Sequence, residues 1–395
     1  MAAPTSTAAS SASSFKSVAS THEPNNTTAS ETPASSSSKT SAASPLSPPQ
    51  PEWLAPPGVL KTPVLRPMNT SKPPPPTKLS DEQETKYAAV LANVTTWTSI
   101  PATTAKAAPQ SPIQDHERMW LTRECLLRYL RATKWSTPNA LKRLQATLSW
   151  RREYGADTFT ADYISPENET GKQLVLGYDK QARPCLYLNP AKQNTKMSDR
   201  QINHLCFMLD RTIDMMPPGQ ESACLLIDFK GATSGTVPTV GQARAVLNIL
   251  QGHSPERLGK AVISDTPWYV TTFFKLISGF IDPVTKEKMK FNEPLADYVP
   301  KEQLWKHYKG DLDFEYEHKS YWPALNKECN ERRAAYRKRW EEAGKHIGEF
   351  EIFLRGGDHP SIGEVLKRKG AQAVGGETAD ADLVAAEVGR LTVQE

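Results

Sequence analysis

ACLLIDF, residues 223–229, is the stretch that decides the fold. Only Asp228 interrupts its apolar character, and turn residues bound it on both sides. A short continuous apolar run of this kind suits a strand covered on both faces, as in parallel sheets. Reading outward, Val240, Ala243, Val246, Leu247 and Leu250 repeat at helical spacing, and Lys260–Ser264 is a second buried strand. On the other side, Ser198 and Gln201 have the spacing of a capping box. The helix they open carries Ile202, Leu205, Leu209, Ile213 and Met216 on one face. Before it, residues 173–177 and 184–188 read as strands joined by a polar turn over Asp179–Arg183. Strands alternating with helices of this length predict an α/β fold with a mostly parallel sheet.

A different pattern precedes the sheet. Asp115 caps a helix bearing Trp120, Leu126, Leu127 and Leu130. Thr137 with Pro138 starts another, which carries Leu141, Leu144 and Leu148 and stops at Gly155. Residues 80–156 are thus a small all-helical subdomain, with an internal linker over about 101–112. Residues 1–79 are rich in Ala, Ser, Thr and Pro and bury too little apolar surface to offset their ordering entropy. They are expected to be disordered and dispensable for stability. Residues 319–346 form a basic helix, read either as a solvated helix packed through a few apolar residues or as a basic face for an anionic membrane. The tail, 347–395, is expected to be mostly disordered.

The 395 residues carry a net charge of +4, far from the dense basic patch of a nucleic-acid binder, so no nucleic-acid partner is expected. The five cysteines lack metal-ligand spacing and their odd number argues against a disulfide framework. Buried thiols and a reducing compartment follow. The N-terminal MAAPTSTAASSASSF does not read as a secretory signal, and no apolar run reaches the ~18–20 residues of a membrane span. Membrane contact is expected to be peripheral.

Enzyme signatures are not found. There is no phosphate-cradling glycine loop and no dinucleotide fingerprint. GATSGT at 231–236 lacks the spacing of a nucleophile elbow. His204, His253 and His307 are isolated, which fits packing or surface histidines and no metal site. Asp228 ends a strand, where a carboxylate caps backbone amides. The segment 268–281 carries apolar residues around most of its circumference. It is either a fully buried helix or one with a face on a ligand cavity and another toward lipid. One polar set remains: Glu256 and Arg257 before a buried strand, and Asp282, Thr285 and Lys288 after the aromatic helix. It could serve a ligand with a phosphate and hydroxyls, or be a surface ion pair and a turn.

The ordered runs LLRYLRATKW (126–135), WRREYG (150–155), LLIDFKG (225–231), SPERLGKAVISDTPW (254–268) and FIDPVTKEKMKF (280–291) resemble the CRAL-TRIO lipid-binding family, in particular its fungal phosphatidylinositol transfer group. GKQLVLGYD, ARPCLYLNP, QNTKMSDRQ and YWPAL are most similar to the pleiotropic-drug-resistance branch of that group. The resemblance spans about Trp120 to Leu325 and implies a lipid-binding domain over 157–318. In it the sheet floors an apolar lipid cavity, closed by a mobile gate helix with Phe273, Phe274, Ile277 and Phe280. It implies head-group contacts from Glu256, Asp282, Thr285 and Lys288. Thr133 stands where many members have arginine, with Lys134 beside it as a substitute. Leu186, Ala223 and Leu225 replace the tyrosine and hydroxyl residues of members that carry phosphatidylcholine. The implied ligands are phosphatidylinositol and, as an alternative, sterol, with no cofactor and no catalysis. The implied setting is a cytoplasmic carrier, peripheral on endoplasmic reticulum, lipid droplet or plasma membrane. The other reading is a module that presents phosphoinositide to a lipid kinase or scaffold.

Overall fold

The computed structural model describes residues 52–196, 198–236 and 238–373. Helix α1 (Asp81–Thr95) starts at a reciprocal capping box between Ser80 and Gln83. A hairpin follows, β1 (Ser99–Pro101) with β2 (Gln110–Pro112), then α2 (Asp115–Trp120), α3 (Arg123–Ala132) and α4 (Thr137–Tyr154). The helix expected from Asp115 is two helices, because the Thr122 hydroxyl accepts from the Cys125 amide and caps α3. The segment 101–112, read as a linker, is the loop and second strand of the hairpin. Arg152 of α4 pins it by donating to the Pro112 carbonyl at 2.8 Å. Gly155 ends α4 at φ +71°, where a side chain would be strained. Tyr87, Val90, Leu126, Leu130, Leu144 and Leu148 form the core of this subdomain.

The second part runs α5 (Ala161–Asn168), β3 (Gln173–Tyr178), β4 (Pro184–Leu188), α6 (Asp199–Asp214), β5 (Ala223–Asp228), α7 (Val240–His253), β6 (Leu258–Ser264), α8 (Trp268–Ile277), α9 (Pro283–Lys288) and β7 (Met289–Phe291). The sheet order is β3-β4-β5-β6-β7, with β3 antiparallel to β4 and every other pair parallel. This is the α/β, mostly parallel sheet that the strand pattern predicts. Ser198 does precede α6, but its side chain makes no capping bond, so the expected box is not formed.

Alternation along the strands gives the sheet two different faces. Cys185, Tyr187, Cys224, Leu226 and Val262 point to one side and pack on Leu295, Val299, Leu304 and Phe314. On the other side Leu186, Leu225, Ala261 and Met289 are register partners and form a row across four strands. That row faces a cavity.

The expected disorder of residues 1–79 fails for 52–79. Trp53 and Val64 are buried in the main core. Leu60 donates its N–H to the Asp313 carbonyl at 2.8 Å and accepts from the Glu315 amide at 3.0 Å. Prolines prevent regular structure there but do not prevent packing. The remainder of the expectation, residues 1–51, lies outside the described residues.

Helix α10 (His318–Glu342) packs through Tyr321, Trp322, Leu325, Cys329 and Trp340. Several of its basic residues are paired. Arg332 pairs with Glu328 at 2.6 Å, Arg333 with Asp214 at 2.8 Å, and Arg339 donates to the Leu354 carbonyl at 2.9 Å. The tail continues in α11 (Glu351–Leu354) and α12 (Ile362–Ala373), so the disorder expected after 347 does not hold through 373. Residues 374–395 lie outside the described ones. Glu351 anchors this segment, 2.6 Å from Arg128, 3.6 Å from Arg257 and 3.7 Å from Arg355. Burial pushes its carboxyl up, but Arg128, Arg257 and Arg355 outweigh it and hold the group well below the usual carboxylate range.

All five cysteines are free. Cys125, Cys185, Cys224 and Cys329 are buried and Cys206 is half-buried. Burial pushes the thiols of Cys125, Cys206 and Cys329 up to about 12. Among the described residues no helix is long and apolar enough to cross a membrane.

Two outcomes are expected. Truncation at residue 79 should lower the melting temperature clearly, since removing the buried Trp53 and Val64 forfeits roughly 1.5–3 kcal/mol each. Truncation at residue 51 is the reference, and equal stability of the two chains would contradict the packing of 52–79. Glu351→Gln leaves buried arginines without their carboxylate and should cost about 3–5 kcal/mol in denaturant unfolding. Because the folded pKa is depressed, this stability is present above the unfolded carboxylate value of ~4.3 and is lost as pH falls. The variant should therefore show a flatter acid limb than the parent.

Candidate functional site

The cavity occupies about 1300 Å³ between the sheet and helices α6, α7 and α8. That exceeds the ~1,000 Å³ upper end of ordinary small-molecule pockets. Its floor is apolar, with Leu186, Leu188, Leu225, Ile227, Ala261 and Met289. Leu205 and Leu209 of α6 and Val246, Leu247 and Leu250 of α7 add apolar walls.

Helix α8 closes one side. Phe273, Phe274 and Ile277 line the cavity, and Phe280 and Ile281 do so just beyond the helix end. The opposite side of α8 is open to solvent, where Trp268 is 80% and Leu276 61% exposed. The two sequence readings of this helix are thus decided for the two-faced one. At its end, Gln251 of α7 donates to the Phe280 carbonyl at 2.8 Å and accepts from the Asp282 amide at 3.3 Å, tying α8 to α7.

Charge is concentrated at one pole of the cavity, beside the starts of β6 and β7. Glu256, Asp282, Thr285, Lys288 and Lys134 all line it. Lys288 donates from Nζ to the Leu258 carbonyl at 2.7 Å. Burial pulls its pKa down, while Glu256 opposes this. Asp282 caps α9, accepting from the Thr285 amide at 2.9 Å. Glu256 sits at φ +58°, unusual for a residue with a side chain. Its carboxylate is 2.5 Å from Arg131 Nε.

Arg131 is a residue the motif reading passed over. It belongs to the Leu130-Arg131-Ala132 run, one turn before Lys134, and it lines the cavity. Besides Glu256 it reaches Glu221 at 3.2 Å. Arg143 and Arg257 also line this pole, but their guanidinium groups are held by the carbonyls of Gly252 and Glu221. Among these lining residues, the cations Arg131, Lys134, Arg143, Arg257 and Lys288 outnumber Glu256 and Asp282. The pole is suited to an anion.

Two expectations are corrected. Thr133 does not line the cavity, because it is the C-cap of α3 and its hydroxyl is turned back to the Tyr129 carbonyl at 2.9 Å. Ala223 is buried at the start of β5 and is not part of the cavity wall, unlike its neighbours in the argument, Leu186 and Leu225. His253 behaves as a packing group and stacks on Trp150 at 4.2 Å. Asp228 accepts from the Lys230 amide at 2.8 Å, the capping role expected of it. Among the described residues no group of three His, Cys, Asp or Glu could hold a metal ion.

The sequence is similar to those of known proteins. The model of the CRAL/TRIO domain matches residues 168–310, and that of the CRAL/TRIO N-terminal domain matches 86–146. A CRAL-TRIO domain-containing protein of Schizosaccharomyces pombe is 50% identical over 309 residues, 78% of this chain but 31% of that protein. The phosphatidylinositol transfer protein PDR17 of Saccharomyces cerevisiae is 41% identical over 261 residues, 63% of this chain and 75% of that protein. The SEC14 cytosolic factor of Yarrowia lipolytica is 29% identical over 199 residues, 44% of this chain and 40% of that protein. An apolar chamber with a cationic pole, on a sheet matched by the family's domain, completes the assignment: the chain belongs to the CRAL-TRIO family.

Proposed function

We propose that this chain takes up phosphatidylinositol and exchanges it between membranes, with sterol as an alternative occupant and without phosphatidylcholine activity. The observation that carries the reading is the pairing of an apolar chamber of about 1300 Å³ with one charged pole. Lys288 and Arg131 would meet the phosphate, and Glu256 and Thr285 the inositol hydroxyls. Arg131 is paired with Glu256, so a bound head group would exchange with this pair. Arg131 and Lys134 also supply the cations that Thr133 lacks.

A carrier with this cavity needs no fuel. Acyl chains are out of water in a bilayer and out of water in the chamber, so only the passage between them is costly, at about 0.8 kcal/mol per exposed CH₂. The exposed side of α8 offers a way to avoid that exposure. Trp268 and Leu276 can enter a membrane surface while Phe273 and Phe274 on the other side move off the lipid. In this reading α8 is the mobile gate, and the protein is a cytoplasmic carrier acting peripherally on endoplasmic reticulum, lipid droplet or plasma membrane. It performs no catalysis.

Selectivity follows from the floor. Leu186 and Leu225 are register partners in the middle of the sheet, and neither offers a hydrogen bond. A phosphocholine group placed there would be buried without a partner. Transfer of phosphatidylcholine between vesicles should therefore be far slower than transfer of phosphatidylinositol by the same chain; equal rates would contradict this reading of the floor.

Lys288→Ala should remove a charge-assisted bond worth about 1.5–3 kcal/mol and weaken phosphatidylinositol binding by about tenfold or more. Cholesterol, which has no phosphate, should bind the variant as it binds the parent. Loss of both ligands would show that Lys288 supports the fold, and loss of neither that the head group lies elsewhere.

A further inference from the structure

Residues 71–79, SKPPPPTKL, belong to no hydrogen-bonded element, and none of them lines the chamber. Both ends of the run are fixed. Ser71 is buried, and its amide donates to the Met68 carbonyl at 3.0 Å. Leu79 is buried in the core of the helical subdomain, and Ser80 caps α1. Between these anchors Pro73 is half-buried and rests against Gly219. Lys72, Pro74, Pro75, Pro76, Thr77 and Lys78 are exposed.

The path of the run follows from its composition. A proline ring holds φ at about −65°, and each proline forces the residue before it out of the helical region. Four in succession therefore trace a polyproline II helix, left-handed, with roughly three residues per turn. At that repeat Lys72, Pro75 and Lys78 share one edge, Pro74 and Thr77 the next, and Pro73 and Pro76 the third. The third edge is the one that meets the protein, at Gly219. The other two are open to solvent. Neither Lys72 nor Lys78 has an ion-pair partner among the described residues.

We propose that residues 72–78 are a docking site for a protein module with an aromatic-lined groove for polyproline II helices and carboxylates beside that groove. Grooves of this kind stack their rings on exposed prolines, here Pro74 and Pro75. Lys72 and Lys78 stand one turn to either side of Pro75 on the same edge, and they set the requirement for carboxylates. A proline run loses little conformational entropy on binding, and a run held at both ends loses still less. A membrane surface would engage the two lysines and leave the prolines without a role. Because the run lies outside the chamber, a partner bound there would position the chain without touching its ligand.

The test titrates the full chain with a panel of purified SH3 and WW domains, whose grooves are of this kind. At least one domain should bind, with an affinity that falls as salt rises. Pro74→Ala combined with Pro75→Ala should weaken that binding by about tenfold or more, and Lys78→Glu should weaken it several-fold. Both variants should melt within a few degrees of the parent, since the changed side chains are exposed. A synthetic peptide of residues 70–80 should bind the same domain no more tightly than the full chain does. No binding by any domain of the panel overturns the proposal. So does binding that the proline variant leaves unchanged, and so does binding by the peptide alone, which would mean that the fold hides the run.

Discussion

A folded chain that keeps about 1300 Å³ of its interior unfilled by side chains gives up the packing on which most domains depend. The framework around it has to be stable for reasons that lie elsewhere. The far face of the sheet is packed by Leu295, Val299, Leu304 and Phe314 with Trp53 and Val64. The helical subdomain has its own core, and Glu351 draws Arg128 and the C-terminal helices against it. The cavity side of the sheet faces the open chamber instead.

The same division explains what the sequence reveals and what it hides. Strands and helices with regular periods were legible: the apolar run at 223–229, the helix carrying Leu144 and Leu148, the turn at Asp179–Arg183. The site pole was legible from motif residues that stand close together in sequence, Asp282, Thr285 and Lys288. Contacts with no period were not. Trp53, Val64 and Leu60 lie in a proline-rich stretch whose composition signals disorder, and their partners are some 250 residues away. The Arg128–Glu351 pair spans 223 residues and has no local signature. Residues 52–79 and 347–373 were misread for that reason.

Two further cases concern single side chains. Arg131 sits inside the very motif used to place Thr133 and Lys134, yet only the geometry shows that Arg131 reaches Glu256 while Thr133 turns back to its own helix. In the sequence His204 is an isolated histidine without metal-ligand spacing, which fits a packing or surface role. What sets it apart is that neither buried ring nitrogen has a hydrogen-bond partner, which no sequence pattern records. For the aromatic segment 268–281 composition allowed both a buried and a two-faced helix. The exposures of Trp268 and Leu276 against Val270 and Ile277 separate them.

The cysteines have a practical consequence. Four of the five thiols are buried, and burial holds those of Cys125, Cys206 and Cys329 near pKa 12, so at neutral pH they are almost wholly protonated and poor nucleophiles. The chain is thus a quiet background for thiol chemistry without any removal of native cysteines. A reporter cysteine introduced at the exposed Leu276 position would be the reactive thiol, and its labelling rate would follow how that helix meets water or lipid, read from one site in an otherwise unaltered protein.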